Sequence, residues 1–108
     1  MYYTFSLTSL ANTTKDTASE TILQLGPGVI HHFELVIPPG AGGLSHLQVF
    51  DELHQVYPTN EGEDFHGDNI HHVVTDFYEP EGKTARLTAK YWNTDDTFDH
   101  ELLVMIGV

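Results

Sequence analysis

Cysteine is absent from this chain of 108 residues, and basic residues are scarce. Without cysteine the chain has no disulfide, no thiolate metal site and no cysteine nucleophile. Lysine and arginine total 4 against 16 aspartates and glutamates, which gives a formal charge of −12. Nucleic acids and anionic membranes both attract clustered basic side chains. We therefore expect neither a nucleic acid nor a membrane as partner.

Long hydrophobic runs are also missing. No stretch approaches the roughly 18 consecutive apolar residues that a membrane-spanning helix requires. Residues 1–7 lack the basic segment and the apolar segment of a signal peptide, so no targeting signal is expected. The apolar share of 40% is enough for one core, and the length matches a single domain.

Apolar residues recur at every second position, which is the period of a β-strand, and a helical period is nearly absent. Val29, His31, Phe33, Leu35 and Ile37 are predicted to share one face of a strand. The last apolar run, residues 102–106, is continuous and predicts a central strand.

Turn signals separate these runs at residues 26–28, 38–43, 58–69 and 93–99. The spacing predicts an all-β protein, a single small β-sandwich or jelly-roll-like domain of seven or eight antiparallel strands. A small closed barrel stays open as the alternative. Residues 20–108 would form the sandwich. Residues 1–19 would form an N-terminal strand and a flexible threonine-rich segment, either an arm toward a neighbouring copy or an ordinary first strand.

Histidine is unusually frequent, with eight copies. His31 and His32 are adjacent, as are His71 and His72, and adjacent strand residues point to opposite faces. Neither pair can therefore chelate one ion. One member of each pair could instead meet a partner from a neighbouring strand.

His32, His46 and His54 are predicted to lie on the solvent faces of their strands. If those strands were neighbours, two imidazoles would come within ligand distance of Zn²⁺ or Ni²⁺. The preferred interpretation is that these histidines face solvent without a shared role.

The loop at residues 58–69 is the segment richest in oxygen ligands. Calcium needs six to eight oxygens, but the spacing of an EF-hand is absent, so a solvated acidic loop is the preferred interpretation. We accordingly predict no metal and no cofactor. If a metal did bind, the candidate ligands would be His32, His46, His54, Glu63, Asp64, His66 and Asp68.

No catalytic motif is present, and no enzyme is predicted. Asp99 and His100 would need a serine for a triad, but no serine lies in a Gly-x-Ser-x-Gly context. A cupin-like enzyme would need two or three histidines and a glutamate converging inside a barrel. Only His31 lies on a clearly apolar strand face, with His72 arguable, so no catalytic residue is assigned.

Residues 28–40, residues 44–50 followed by 54–58, and residues 87–100 resemble short all-β proteins encoded among the virion structural genes of tailed phages and related viruses. The likeness covers roughly residues 20–108. It implies a capsid decoration (cement) protein on the outer capsid surface, made in the host cytoplasm and located in the virion. A neck or tail accessory protein, or a sugar- or metal-binding β-sandwich module, are the alternatives.

The resemblance also implies partners. The major capsid protein or another virion protein would be bound, and a homo-oligomer, with a trimer favoured, is expected. Contacts are expected in the loops rather than the strands, and the residues proposed for them are Pro38, Pro39, Phe65, Trp92, Asp95 and Asp96.

Overall fold

A computed structural model describes residues 1–81 and 85–108. Almost all regular structure in these ranges is β-strand, and the exception is a single 3₁₀ turn at Lys15–Thr17. The strands are β1 (Tyr2–Ser9), β2 (Ser19–Gln24), β3 (Ile30–Ile37), β4 (Ser45–Asp51), β5 (His54–Tyr57), β6 (Phe65–His66), β7 (Ile70–Tyr78), β8 (Arg86–Asn93) and β9 (His100–Gly107). The described residues contain no helix that is long and apolar enough to cross a membrane.

Two antiparallel sheets face each other. The first has the strand order β1-β9-β3-β7, and the second has the order β2-β8-β4-β5, with β6 also paired to β4. The predicted all-β sandwich is confirmed. β9 is flanked on both sides, as its continuous apolar run indicated. The described part has nine strands rather than seven or eight, because β6 has only two residues and so shows no alternation in the sequence.

The core fills the space between the sheets with large apolar side chains. Phe33 stacks on Tyr57, with 4.6 Å between ring centroids, and on Phe65 at 5.7 Å. Leu47 and Val104 are fully buried. Each such side chain contributes roughly 1.5–3 kcal/mol when it is buried.

His31 departs from its predicted position on the apolar face of β3. The register of β3 against β7 shifts between Ile30 and His32, which is a β-bulge. Two residues of β7, Asp76 and Phe77, lie opposite the single residue His31, and β3 departs from strict alternation beside them. Ile30 is therefore buried, and His31 is exposed. The period-two pattern carried no sign of this insertion.

The N-terminal segment lies along the domain. β1 pairs with β9 over its whole length, from Tyr2 opposite Gly107 to Ser9 opposite His100. In the segment that follows, the backbone N–H of Thr13 donates to the carbonyl oxygen of Asn93 at 2.9 Å. The residues considered for an arm are thus hydrogen-bonded to their own sandwich, where β9 satisfies one edge of β1.

Candidate metal centre

His46 lies on the outer face of the second sheet. Its neighbour Leu47 is fully buried in the core, and alternation along β4 turns the His46 ring the opposite way. Trp92 is its register partner on β8, and the two rings stack with centroids 5.2 Å apart and planes 6° apart. The indole therefore packs against one face of the imidazole and restricts its orientation.

Asp64 joins two histidines through one oxygen. The short strand β6 pairs with β4 so that His66 lies opposite His46. The Oδ1 atom of Asp64 accepts a hydrogen bond from Nδ1 of His46 at 2.6 Å and from Nδ1 of His66 at 2.9 Å. One donor atom from each of the three side chains lies within 4.8 Å of the others. No other group of three or more histidines and acids in residues 1–81 and 85–108 meets this condition.

Two buried amides position the loop that carries Asp64. The Nε2 atom of Gln55 donates to the carbonyl oxygens of Pro58 and Glu63, at 2.7 and 2.9 Å. Nε2 of Gln48 donates to the same Glu63 oxygen at 3.0 Å. Gln48 and Gln55 are each less than 5% exposed. The loop that was interpreted as merely solvated is therefore folded over two glutamine side chains.

Gly67 shapes the chain directly after His66. Its φ angle is +152°, and a Cβ atom built there would lie 1.8 Å from Cδ1 of Ile70. Only glycine adopts this backbone conformation at little cost, and only glycine leaves the space free. The chain can therefore turn from β6 toward β7 immediately after the second histidine.

The chemistry of the cluster suits a transition-metal ion. Two imidazole nitrogens and one carboxylate oxygen are the donors that Zn²⁺ and Fe²⁺ accept. Ligand bonds of about 2.0–2.1 Å place tetrahedral donors roughly 3.3 Å apart, so the two nitrogen–oxygen distances of 2.6 and 2.9 Å would open by roughly 0.4–0.7 Å. The side chains of His46 and Asp64 are 21% and 19% exposed, and that of His66 is 55% exposed. Solvent therefore reaches the cluster.

The other predicted histidine ligands do not join it. His32 lies on β3 in the first sheet, whereas His46 and His54 lie in the second. His54 is exposed at the start of β5. The alternative in which two of these three histidines meet is not seen, because His32 lies in the other sheet and His54 pairs with Asp51 at the far end of β4 from His46. His46 instead meets His66 across the pairing of β4 with β6.

Two of the acidic residues considered as metal ligands take part in hydrogen bonds with the backbone instead. Glu63 contributes its carbonyl oxygen to the glutamine network. Oδ1 of Asp68 accepts the N–H groups of Gly40 and Gly42, at 2.8 and 3.0 Å. These two backbone hydrogen bonds, that of Gly42 first, lower the pKa of the Asp68 carboxyl. Asp68 thus anchors the glycine-rich turn rather than joining the cluster.

A second cluster lies on the outer face of the first sheet. Oε1 of Glu34 binds His32 and accepts the hydroxyl of Tyr2 at 3.0 Å, while Oε2 binds Nε2 of His71 at 2.7 Å. Hydrogen bonds from His32, His71 and Tyr2, in that order, lower the pKa of Glu34 to about 2. His71 meets a partner from a neighbouring strand, as expected, whereas His32 pairs with Glu34 of its own strand. Glu34 itself was missed, although alternation places it on the face of His32.

Trp92 and Phe65, the aromatic residues proposed for partner contacts, are partly or largely covered by their neighbours. Trp92 is only 5% exposed and stacks on His46, and Phe65 is partly buried and packs on Phe33 of the core. Pro38 and Pro39 are exposed in the turn after β3.

Asp95 and Asp96 form hydrogen bonds within their own turn. Asp95 accepts the backbone N–H of Thr97, which is the first cause of its lowered pKa, and Nε2 of His100 at 2.9 Å, which is the second. Asp96 accepts the hydroxyl of Thr97 at 2.9 Å. Asp99 instead binds the N–H of Ala11, so the Asp99–His100 pair considered for a triad is not formed.

No family model and no curated protein matches this sequence. Among solved structures, the fold is similar to the crystal structure of Fe(II) HppE. That match has a TM-score of 0.50 and 10% sequence identity, and it covers 98% of this chain and 43% of the other. Fe(II)-HppE with the alternative substrate (S)-1-HPP gives a TM-score of 0.45 at 10% identity, over 96% and 41% of the two chains. The likeness shows the fold, and this chain spans less than half of that protein.

The prediction of a capsid decoration protein is wrong. A similar fold is found in the Fe(II) form of HppE, and no match points to a virion protein.

Proposed function

We propose that this protein is a metal-binding β-sandwich domain. It holds one divalent transition-metal ion on the outer face of the second sheet, through His46, Asp64 and His66. The observation that carries the proposal is that a single oxygen of Asp64 receives both imidazoles, so that all three donors converge. Loss of the two Nδ1 protons would turn the same three atoms toward a cation.

The interior of the sandwich offers no competing site in the part of the chain that is described. Its inward-facing positions are dominated by residues such as Phe33, Leu35, Leu47 and Val104. His72 is the one described histidine whose strand position faces inward, and no second histidine accompanies it. The outer face is therefore the better location for an ion.

The chemistry of the three donor atoms also narrows the choice of metal ion. Two nitrogens and one carboxylate favour Zn²⁺ or Fe²⁺ over Ca²⁺, which prefers a cage of oxygens. The Fe(II) form of HppE, on a similar fold, supports testing Fe²⁺ beside Zn²⁺. Three protein ligands leave coordination positions for water or a small ligand.

Binding rather than catalysis is the role we propose. A surface cavity of about 320 Å³ lies elsewhere on the second sheet, and its lining shares no residue with the cluster. His66 is 55% exposed, so water is not excluded from the ion. A site of this kind serves to hold an ion, with stability or assembly as the benefit.

A matched pair of variants tests the proposal. His66→Ala and His71→Ala each remove a histidine that is about half exposed, at 55% and 56%, and that binds one carboxylate. Calorimetric titration with Zn²⁺, and with Fe²⁺ under anaerobic conditions, measures affinity, and native mass spectrometry measures stoichiometry. We expect one ion per wild-type chain, the same for His71→Ala, and loss of the ion for His66→Ala.

The variants need a fold control, because a lost ion must not reflect a lost domain. Circular dichroism should show β-structure in both variants after metal removal. Wild-type protein that binds neither ion stoichiometrically would overturn the proposal. An equal loss of binding in His66→Ala and His71→Ala would also overturn it, since it would indicate scattered surface histidines.

A further inference from the structure

β7 is a long strand at the edge of the first sheet, and its outer edge is unpaired in the described residues. Within the described residues its one strand partner is β3, so its other edge faces away from the sheet. The strand has nine residues and contains no lysine, arginine or proline. Val73 and Phe77 are 57% and 85% exposed on its outer face. Unpaired edges of this length are templates for pairing with another strand, and the inward-facing charge of Asp76 opposes such pairing unless the partner supplies a complementary group.

The inward face of β7 carries an imidazole, that of His72, and a carboxylate, that of Asp76. Nε2 of His72 is buried and has no hydrogen-bond partner among the described residues. Asp76 lies four residues further along the same face and accepts the hydroxyl of Tyr57 at 3.1 Å. A buried polar atom without a partner is costly, so a carboxylate opposite His72 would be favourable.

A second copy of the same strand supplies that carboxylate. In an antiparallel pair with a two-fold axis at Val74, His72 lies opposite Asp76 of the second copy. Symmetry repeats the pair on the other side of the axis. On the outer face, Val73 lies opposite Thr75 of the second copy, and both residues are β-branched.

Of these two-fold registers, only the one centred on Val74 places His72 opposite Asp76. An axis at Val73 places His72 opposite Val74, and an axis at Thr75 places it opposite Tyr78. Side chains directly opposite each other in an antiparallel pair have Cβ atoms about 4.5–5.5 Å apart, which is within reach of an imidazole–carboxylate contact. The sequence of β7 is therefore self-complementary around Val74.

We propose that two copies of this chain associate through their β7 edges, antiparallel and two-fold about Val74. The two four-stranded sheets become one continuous sheet across the axis. The exposed Val73 and Phe77 then gain neighbours from the second copy. The interface contains none of the proposed metal ligands, so the dimer is independent of the proposed function.

Charge exchange across the axis tests the dimer. Sedimentation velocity over a range of micromolar concentrations, at physiological ionic strength and with EDTA, gives the dissociation constant without bound metal. His72→Asp alone and Asp76→His alone each place similar groups opposite each other at two symmetric positions. We expect each to weaken the dimer by about tenfold or more. The double variant His72→Asp with Asp76→His should restore it.

Two further variants keep the test independent of folding effects. Val73→Lys changes an exposed residue beside the axis and should also weaken the dimer. Thr4→Lys makes the matching change on β1, the opposite edge of the same sheet, and should leave it intact.

A wild-type chain that stays monomeric throughout would overturn the proposal. A trimer would overturn it too, because two-fold pairing uses the β7 edges of two copies only. Weakening by Thr4→Lys but not by Val73→Lys would move the interface to β1. A double variant as weak as the single variants would show that His72 and Asp76 do not face each other.

Discussion

Two clusters on opposite faces of this small domain contain the same residue types and differ in what they can bind. Each has two histidines and one carboxylate, with His46, Asp64 and His66 on the second sheet. On the first sheet, Glu34 holds His32 and His71. Both imidazoles of the cluster on the second sheet bind the same oxygen of Asp64. Glu34, on the first sheet, binds each of its two histidines through a different oxygen.

The difference follows from where each carboxylate originates. Glu34 lies on the same strand as His32 and between its two histidines, so its two oxygens point to opposite sides. Asp64 precedes β6 in a loop, and it approaches the facing pair His46 and His66 from outside the sheet. The three donor atoms can converge because Asp64 comes from a loop and is not confined to the plane of the two paired strands. Composition alone therefore does not identify a metal site.

The largest expected effect comes from removing each carboxylate charge in turn. Asp64→Asn should weaken Zn²⁺ binding by more than the roughly 10–100-fold that loss of an outer-sphere partner costs, because a direct ligand is lost. Glu34→Gln should leave the affinity unchanged. Calorimetric titration of both variants measures the contrast. Similar losses in both variants would mean that the two clusters bind metal alike.

A smaller effect is expected from the loop support beneath Asp64. Gln55→Leu leaves buried carbonyl groups of the loop unpaired, so the free energy of unfolding should fall by about 1–3 kcal/mol. The Zn²⁺ affinity should fall with it, because Asp64 loses its position. His54→Ala, an exposed neighbour on β5, is the control and should change neither quantity. Urea unfolding and titration give both numbers, and full Zn²⁺ affinity in Gln55→Leu would contradict the positioning role.

The smallest expected effect is on the stability of the folded state at low pH, through the Glu34 carboxyl. The pKa of this carboxyl is lowered from 4.5 to about 2, so ionised Glu34 stabilises the folded state above about pH 4.5. That contribution is lost as the pH falls toward 2. Glu34→Gln should therefore be less stable than wild type near neutral pH, and the gap should close between pH 4.5 and 2. Urea unfolding across this range checks it, and a gap of constant size would show that the carboxyl pKa is ordinary.

Prediction from the sequence located the strands in which the alternation of apolar residues matches their burial. Alternation located most strands, and the continuous run at residues 102–106 correctly marked β9 as central. His46, Asp64 and His66 were all named as ligand candidates, yet nothing in their spacing separated them from His54 or Asp68. Their convergence depends on the pairing of β4 with β6, and a two-residue strand leaves no period to detect.

Other features could not be predicted for physical reasons that lie outside any single strand. The bulge beside His31 depends on how β3 meets β7, and no residue type in the strand marks it. The role of Gln55 depends on a loop that folds back over the sheet. The capsid prediction came from a likeness in sequence pattern and not from a specific motif.

The sequence by itself determined an acidic, cysteine-free, all-β domain, because composition and a period of two are local properties. The tertiary structure alone decided which histidines meet which carboxylates, and through which oxygen. Strand alternation settles the side of a sheet on which a side chain lies. Only the pairing of distant strands, and the loop that returns above them, bring three donors to one point.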